Sequence, residues 1–321
     1  MNPEKAFIKN LQILELEDHA AVNGIMLHGK PKTVHQQSKR RSLFLKIVSS
    51  YFIKRYKNQN FLVKAGNETT NIETDHKGEF SFYIKNSQIE DLEFIQTENH
   101  EKIPIIQDYP RLFRKNSARF LLISDIDDTI LVSKSARFFS KLWLMLFTKP
   151  AKRKPVTDTY KAYQKMNIDK VNFAYVSGSE NNLFDLLTSF LSINEFPTGP
   201  MFLRPYVYWK DLFKAKNREN YKLDRIKRLI EYYPHQRIIL FGDDSQQDYD
   251  VFTELAEQYP EKIYSVFLRR TGLTKRFKDF ADTTKLDKQN TMLYYYNSFE
   301  QIEEAVEKII KEKEDTPELN Q

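Results

Sequence analysis

A chain of 321 residues with 40% apolar and 29% charged residues is long enough for two domains and too apolar for a disordered protein. It has no cysteine, which excludes disulfides and thiolate–zinc sites and fits a reducing compartment. Since it shows neither a signal-peptide pattern nor an apolar run of membrane-spanning length, we expect a soluble, cytoplasmic protein.

The net charge of +6 favours anionic partners, and its distribution is uneven. No acidic residue occurs between Asp18 and Glu68, or from Thr129 to Thr157, although both stretches are rich in lysine and arginine. Two interpretations stay open: a solvated face, or a surface that binds anions or touches an anionic membrane peripherally. No nucleic-acid-binding motif accompanies the charge, so nucleic acid is not an expected partner.

The first third of the chain has two expected parts. Residues 1–15 suggest a helical or frayed leader. Residues 16–115 show short, alternating, β-branched and aromatic segments separated by turn residues, which predicts a small antiparallel β-sandwich. The clearest strand segments are Ala21–Leu27, Asn60–Val63 and Glu79–Ile84.

Residues 116–312 have a different rhythm, in which continuous apolar runs alternate with amphipathic helical segments. Strands buried on both faces have this composition, which predicts an open, doubly wound, mostly parallel Rossmann-like α/β sheet. Residues 313–321 form a polar tail. The predicted strands are Phe120–Ile123, Val171–Val176, Arg237–Phe241 and Ile263–Leu268.

Polar residues follow several of these strands at the edge where an open α/β sheet binds its ligands. Asp125, Asp127 and Thr129 follow the first strand, and Ser177-Gly178-Ser179 closes the second. Lys222 opens the helix before the strand that ends in residues 242–248. We therefore expect these groups to share one crevice.

The residue types suit phosphoryl transfer, which needs an in-line nucleophile, positive charge near the phosphoryl oxygens and a proton for the leaving oxygen. A carboxylate can act as nucleophile, and a second carboxyl can donate the proton and later activate water. Crowded carboxylates repel one another unless a cation holds them, and Mg²⁺ prefers such oxygen ligands. The sequence thus predicts a Mg²⁺-dependent phosphomonoesterase.

The same residues carry a family resemblance. Asp125-x-Asp127-x-Thr129, Ser177, Lys222 and the run from Gly242 to Asp248 are similar to the four motifs of the haloacid dehalogenase superfamily. From about Arg119 to Arg270 the chain more narrowly resembles the catalytic domain of the actin-patch-associated phosphatidate phosphatases and their bacterial relatives. The segments that carry this likeness are Ile123–Ile130 (ISDIDDTI), Tyr175–Ser179 (YVSGS) and Phe196–Arg204 (FPTGPMFLR).

The resemblance implies a haloacid dehalogenase-type fold and a role for each matching residue. Asp125 would be nucleophile and metal ligand, and Asp127 would be the acid/base whose backbone carbonyl also reaches the metal. Ser177 and Lys222 would contact the phosphoryl oxygens, although Lys210, Lys214 and Lys216 stay alternatives to Lys222. The expected substrate-binding residues are Thr129, Gly178 and Arg204, the last of which could instead be structural.

The resemblance also implies metal ligands in the fourth motif. Asp243 would bind the metal directly and Asp248 would lie behind it. Relatives usually have serine where this chain has Asp244, so Asp243 and Asp244 both stay candidate ligands. The expected metal set is Asp125, Asp127, Asp243, Asp244 and Asp248.

In this superfamily a cap is often inserted after the first motif, which here predicts a small cap over about residues 133–168. Its segment Phe138–Phe147 is basic and aromatic, and would either touch a membrane surface or pack the cap onto the sheet. The resemblance implies a lipid phosphate substrate, with phosphatidate hydrolysed to diacylglycerol. The alternatives are a soluble phosphatase for a sugar phosphate, nucleotide or phosphoprotein, and a non-catalytic scaffold.

Overall fold

The computed structural model describes residues 5–29, 49–131, 155–167, 171–205, 218–244, 246–271 and 291–312. Two parts of the chain differ in their elements. We call residues 5–113 the front region and residues 120–312 the α/β region. Among the described helices, none combines the length and apolar composition that crossing a bilayer requires.

The front region consists of strands that form two sheets. One has the order β3-β2-β1-β8, with β6 also paired to β2, and the other has the order β5-β4-β7. Both sheets contribute to one apolar cluster, which includes Val22, Phe61 and Phe80. The predicted sandwich arrangement stays a prediction. The strands are β1 (Ala6–Glu15), β2 (His19–His28), β3 (Lys54–Arg55), β4 (Asn60–Ala65), β5 (Glu68–Glu73), β6 (Glu79–Lys85), β7 (Leu92–Gln96) and β8 (Leu112–Phe113).

The expected helical or frayed leader over residues 1–15 is wrong from Ala6 onward. Residues 6–15 form β1, which pairs antiparallel with β2 and parallel with β8, so the front region begins before residue 16 and is not wholly antiparallel. Phe7, Leu11 and Leu14 recur at helical spacing, but pairing with β2 buries nearly the whole strand. Long-range pairing has overridden the local pattern.

The α/β region contains a parallel sheet of six described strands in the order β11-β10-β9-β12-β13-β14. The prediction of an α/β fold with a parallel sheet is confirmed, whereas the haloacid dehalogenase type stays a prediction. The chain order reverses between β9 and β12, and such a switch point opens a crevice at the carboxyl ends of the strands. The strands are β9 (Phe120–Ser124), β10 (Val171–Glu180), β11 (Met201–Arg204), β12 (Arg237–Asp243), β13 (Ile263–Arg269) and β14 (Met292–Tyr296).

Helices cover both faces of this sheet. Apolar side chains of α1, α2 and α5 share one cluster with the strands, and those of α3 and α4 share another. Leu14, Leu16 and Ala21 of the front region belong to the second cluster, so the two regions have a common core. The helices are α1 (Thr157–Met166), α2 (Phe184–Ile193), α3 (Arg218–Tyr232), α4 (Gln246–Gln258) and α5 (Glu303–Lys311).

The predicted cap over residues 133–168 stays a prediction, because the structure describes only residues 155–167 of it. Helix α1 buries Ala162, Tyr163 and Met166 in the cluster on the sheet, because these side chains lie on one helical face. The Tyr163 hydroxyl donates to Ser124 Oγ at the end of β9 (2.6 Å). The helix is therefore part of the layer that covers the sheet. The aromatic segment Phe138–Phe147 and the predicted tail 313–321 lie outside the described residues.

Candidate active site

Strands β9 and β12 bring the first and fourth motifs side by side. They pair in parallel, with Ser124 opposite Phe241, and the Asp125 amide donates to the Phe241 carbonyl (2.8 Å) just beyond β9. On the other side, β10 pairs with β9 and carries Ser177. The sheet therefore brings the predicted groups to one edge, as expected from their positions at strand ends.

A tight turn follows β9. Asp128 has φ of +59°, its amide donates to the Leu131 carbonyl, and Arg269 Nη1 donates to the Asp128 carbonyl (2.7 Å). Thr129 is fully buried, and its hydroxyl donates to Asp125 Oδ2 (3.3 Å). Thr129 thus supports the Asp125 carboxylate, while its predicted contact with substrate stays a prediction.

Lys222 lies against the predicted nucleophile. Its ammonium donates to Asp125 Oδ1 (2.9 Å) and to Asp248 Oδ1, and all three side chains are more than nine-tenths buried. Lys222 lies on helix α3, which packs against the sheet. The competing candidates Lys210, Lys214 and Lys216 lie outside the described residues.

Two hydroxyl groups hold the predicted acid/base. Asp127 Oδ2 accepts from Ser179 Oγ (2.8 Å) and from Ser177 Oγ (3.2 Å). The Ser179 amide in turn donates to Ser177 Oγ (3.0 Å). Ser179 is not among the predicted site residues. Its spacing of two residues from Ser177 is a signal for this contact, because residues so spaced face the same side of a strand.

The fourth motif separates its two candidate ligands. Asp244 Oδ1 accepts from the Thr271 amide (3.0 Å) and hydroxyl (2.5 Å), and the Asp244 amide donates to the Arg269 carbonyl (2.8 Å). These contacts bind Asp244 to the chain after β13. Asp243 is linked to the buried group of Lys222 and its partner carboxylates, since the Asp243 amide donates to Asp248 Oδ2 (3.2 Å).

Gly242 makes room for this arrangement. A Cβ at this position would stand 2.6 Å from Asp248 Oδ2 and 2.7 Å from the Phe252 ring. Helix α4 therefore packs close enough for Asp248 to reach Lys222 only because residue 242 has no side chain.

The site buries more negative than positive charge. Asp125, Asp127, Asp243 and Asp248 are each at least nine-tenths buried. Burial raises the pKa of Asp125 to about 7, with Lys222 opposing and the charges of Asp248 and Asp127 adding to the rise. Burial likewise raises the pKa of Asp248.

The pKa of Lys222 reflects the balance between burial and its two carboxylate partners. Burial disfavours its ammonium, yet Asp125 and Asp248 together hold its pKa above the usual value. The two carboxylates that contact the ammonium favour its charged form, whereas burial disfavours the charged form of all three groups. Within the described ranges, no three Asp, Glu or His side chains form a ready-made metal-ligand group.

Arg204 and Gly178 adjoin the second motif. Arg204 Nε donates to the Gly178 carbonyl (2.6 Å), and its guanidinium also pairs with Glu180. These contacts give Arg204 a structural role, while its contact with substrate stays a prediction. Among the described residues, none has an atom within 4 Å of a Cβ placed on Gly178, beside Ser177.

Comparison with known proteins bears on this same stretch. Residues 120–270 match the family model described as phosphatidate phosphatase APP1, catalytic domain. The predicted family resemblance is confirmed for these residues. All predicted site residues lie within the matching stretch.

Two curated relatives show the same partial likeness. Phosphatidate phosphatase APP1 of Saccharomyces cerevisiae (strain ATCC 204508 / S288c) is 28% identical over 151 residues, which cover 46% of this chain and 25% of that protein. An uncharacterized protein of Schizosaccharomyces pombe (strain 972 / ATCC 24843) is 26% identical over 154 residues, which cover 46% of this chain and 24% of that protein. The chain thus spans about a quarter of the length of these relatives.

Among solved structures, the Pnkp1/Rnl/Hen1 complex contains a chain with a TM-score of 0.35 and 13% identity, with 55% of each chain covered. A likeness this distant supports no conclusion about fold or function.

Proposed function

We propose that this protein is a Mg²⁺-dependent phosphomonoesterase that uses Asp125 as nucleophile and acts on a lipid phosphate of the phosphatidate class. The observation that carries the proposal is the contact between Asp125 and the buried ammonium of Lys222, within the stretch that matches the APP1 catalytic domain. A buried lysine beside a carboxylate at a sheet switch point is an arrangement suited to binding a phosphoryl group.

The donor set fits Mg²⁺ in its chemistry. Asp125, Asp127, Asp243 and Asp248 are buried, but only Asp125 and Asp248 pair with the Lys222 ammonium, so a divalent cation would offset the excess negative charge. Mg²⁺ is commonly held by one or two carboxylates together with waters and phosphate oxygens, so three preformed side-chain ligands are not required. We assign Asp125, Asp243 and the Asp127 carbonyl to this role, and we place Asp248 behind them. When bound, the ion would neutralise charge on the phosphoryl oxygens.

The chain's own groups account for the two chemical steps. A carboxylate oxygen of Asp125 attacks phosphorus, the bond from phosphorus to the leaving oxygen breaks, and Asp127 gives its proton to that oxygen. Asp127 then takes a proton from water, whose oxygen attacks phosphorus and breaks its bond to Asp125. Inorganic phosphate leaves, and both carboxyl groups return to their starting state.

The neighbouring residues hold these groups in place. Ser177 and Ser179 hold the Asp127 carboxylate through Oδ2, and Thr129 holds Asp125 through Oδ2. Lys222 opposes the effect of burial on the pKa of Asp125 and supplies positive charge for the transferred group. Asp248 fixes the lysine from its other side.

The lipid class of the substrate rests on separate observations. The relative in S. cerevisiae is named a phosphatidate phosphatase, and the chain has a net charge of +6 with acid-free basic stretches. A lipid phosphate lies on an already negative surface, where each nearby lysine or arginine contributes about 1 kcal/mol to binding. Peripheral contact with an anionic membrane is therefore part of the proposal.

The test measures phosphate release from phosphatidate in vesicles and from water-soluble p-nitrophenyl phosphate, with and without Mg²⁺. We expect release from both to require Mg²⁺, and phosphatidate to be hydrolysed with the larger kcat/KM. Asp125→Asn should stay folded and lose turnover by about 10⁴-fold or more, as removing a nucleophile does in other enzymes. Acid quenching of wild-type turnover should trap phosphate on Asp125.

The nucleophile, the metal and the substrate class would each be contradicted by a different result. Turnover by Asp125→Asn near the wild-type rate would overturn the nucleophile assignment. Turnover undiminished by a chelator would overturn the metal. Rapid hydrolysis of the soluble ester with none of phosphatidate would replace the lipid substrate by a soluble one.

A further inference from the structure

Strand β1 contains an irregularity at which three buried side chains contact the α/β region. Its register against β2 shifts between Lys9 and Gln12, and Asn10 within the shift has φ of +46°. Asparagine tolerates this left-handed conformation better than most residues, and β-bulges commonly re-aim side chains. Lys9, Asn10 and Gln12 are all buried, and each contacts the α/β region.

The side chain of Gln12 pairs with the backbone of β11 as a neighbouring strand would. Its Nε2 donates to the Met201 carbonyl (2.7 Å), and the Met201 amide donates to its Oε1 (2.6 Å). Both polar groups of the Met201 backbone are thus paired by one side chain from the front region. Since β11 is the edge strand of the described sheet, this side chain fixes an edge that no described strand covers.

Asn10 holds the end of the second motif. We call Ser177–Asn181 the serine segment. Asn10 Nδ2 donates to Asn181 Oδ1 (2.6 Å), and Gln12 Nε2 donates to Asn10 Oδ1 (2.8 Å). Asn10 is therefore oriented by Gln12 and in turn orients the last residue of the serine segment.

The two contacts converge on the groups around Asp127. Asn181 Nδ2 donates to the Leu203 carbonyl (3.3 Å), which ties the serine segment to β11. Arg204, the last residue of β11, donates to the carbonyl of Gly178, the second residue of the segment (2.6 Å). Ser177 and Ser179, the first and third residues of the segment, hold Asp127. A shift of β11 or Asn181 would therefore move the hydroxyls that orient this carboxyl group.

We propose that Asn10 and Gln12 are positioning residues for the site, through which the front region holds β11 and the serine segment in the geometry that serves Asp127. The catalytic consequence rests on the proposed function. The structural part, that the front region restrains the serine segment, does not depend on it.

The test uses two variants of the full chain. Asn10→Gly removes the amide while glycine readily keeps the positive φ, so the bulge itself is preserved. Gln12→Met keeps nearly the same shape without polar atoms, and it provides an independent answer should Asn10→Gly fail to fold.

Two control variants separate positioning from general loosening. Lys9→Met removes a contact from the same bulge to Asp185 on α2, which lies outside the serine segment. Asn86→Ala removes a side-chain amide that donates to the Leu16 and Glu17 carbonyls within the front region alone. Thermal unfolding of all four variants gives the stability against which their other properties are compared.

The first measurement is hydrolysis of p-nitrophenyl phosphate with Mg²⁺ well below each variant's unfolding temperature. We expect kcat/KM to fall about 10- to 100-fold in Asn10→Gly and in Gln12→Met, because small misplacements of catalytic groups have effects of this size. We expect it to stay within about twofold of wild type in both controls, which touch no catalytic contact.

The second measurement is amide hydrogen exchange of a peptide covering the serine segment, without substrate or metal. We expect exchange there to be faster by about tenfold in the two test variants and unchanged in the controls, since exchange reports local opening. If kinetics and exchange in the test variants merely follow thermal stability as in the controls, Asn10 and Gln12 are ordinary interface contacts and the inference is wrong. If wild type hydrolyses no phosphomonoester, the proposed function fails, and exchange alone still decides whether the segment is restrained.

Discussion

The front region and the carboxyl edge of the α/β sheet bury very different side chains. The front core is apolar and aromatic, with the Phe61 ring 5.1 Å from that of Phe80 and 6.2 Å from that of Phe94. The sheet edge instead buries aspartates around Lys222. Burying charge opposes folding unless each group is paired, so stability does not explain why the sheet edge buries these aspartates.

Strand β1 of the front region also buries polar side chains, at the boundary with the α/β region. Beside the apolar contacts of Leu14, Leu16 and Ala21, the front region meets the α/β region through Lys9, Asn10 and Gln12, which are buried in polar contacts. Polar contacts specify geometry more narrowly than apolar ones do. The role proposed for Asn10 and Gln12 is therefore to fix geometry, whereas the apolar contacts of the common core supply stability.

Phe61→Ala should have the largest effect on stability and tests whether the two regions unfold together. Phe61 is fully buried in the front core, and removing such a side chain costs about 3–5 kcal/mol through lost burial and the cavity left behind. Because Leu14, Leu16 and Ala21 join the core of the α/β region, we expect one cooperative transition at lower denaturant concentration.

Equilibrium denaturation followed by both far-UV circular dichroism and tryptophan fluorescence measures this. Tyr83→Ala, at an exposed position of β6, is the matched control and should change the free energy of unfolding by less than about 1 kcal/mol. Two separate transitions in Phe61→Ala would show that the regions are energetically independent, contrary to their common core.

Lys222→Met should have the next largest effect, on catalysis. Methionine keeps the length of the side chain but removes the ammonium that contacts Asp125 and Asp248. We expect kcat to fall about 10²- to 10³-fold, the usual loss when one preorganised donor at a reacting centre is removed. Steady-state phosphate release with Mg²⁺ measures the loss.

Lys227→Met on the same helix provides the comparison, because that ammonium lies 3.7 Å from Glu254 and is partly exposed. It should keep near wild-type turnover. Equal turnover in both variants would mean that Lys222 only compensates buried charge.

The apolar strands and the site could be predicted from sequence because their signals are local. Continuous apolar runs indicate buried parallel strands, and polar residues directly after them meet at one edge. The predicted proximity of Asp125 and Lys222, which are 97 residues apart, is confirmed by their hydrogen bond. The apolar runs predicted the parallel sheet, and the sheet in turn predicted that the residues after its strands meet at one edge.

The polar contacts between the two regions could not be predicted because they leave no local pattern. Asn10 and Asn181 are separated by 171 residues, and Gln12 and Met201 by 189. The apolar spacing of β1 also fits a helix, so only its pairing with β2 decides its structure. The register shift near Asn10 and Gln12 depends on that pairing, so their contacts with the α/β region could not be predicted from the sequence either.

Asp244→Asn should have the smallest effect and distinguishes two adjacent carboxylates at the sheet edge. Asparagine keeps an oxygen that accepts from Thr271, so the contacts that bind residue 244 to the chain after β13 persist. We expect the Mg²⁺ concentration for half-maximal activity to stay within about twofold of wild type, because the contacts of this carboxylate are structural. Titration of activity with Mg²⁺ measures it.

Asp243→Asn is the paired variant, and there the same loss of charge should raise that Mg²⁺ concentration by at least about tenfold, since it would remove a ligand. The two substitutions are chemically identical and one residue apart, so net charge cannot explain a difference between them, and thermal unfolding of both variants measures any difference in stability. A larger Mg²⁺ requirement in Asp244→Asn than in Asp243→Asn would reverse the assignment, and it would require Asp244 to leave Thr271 when the ion binds. The hydrogen bonds from Thr271 oppose that movement, which is why Asp243 is the assigned ligand.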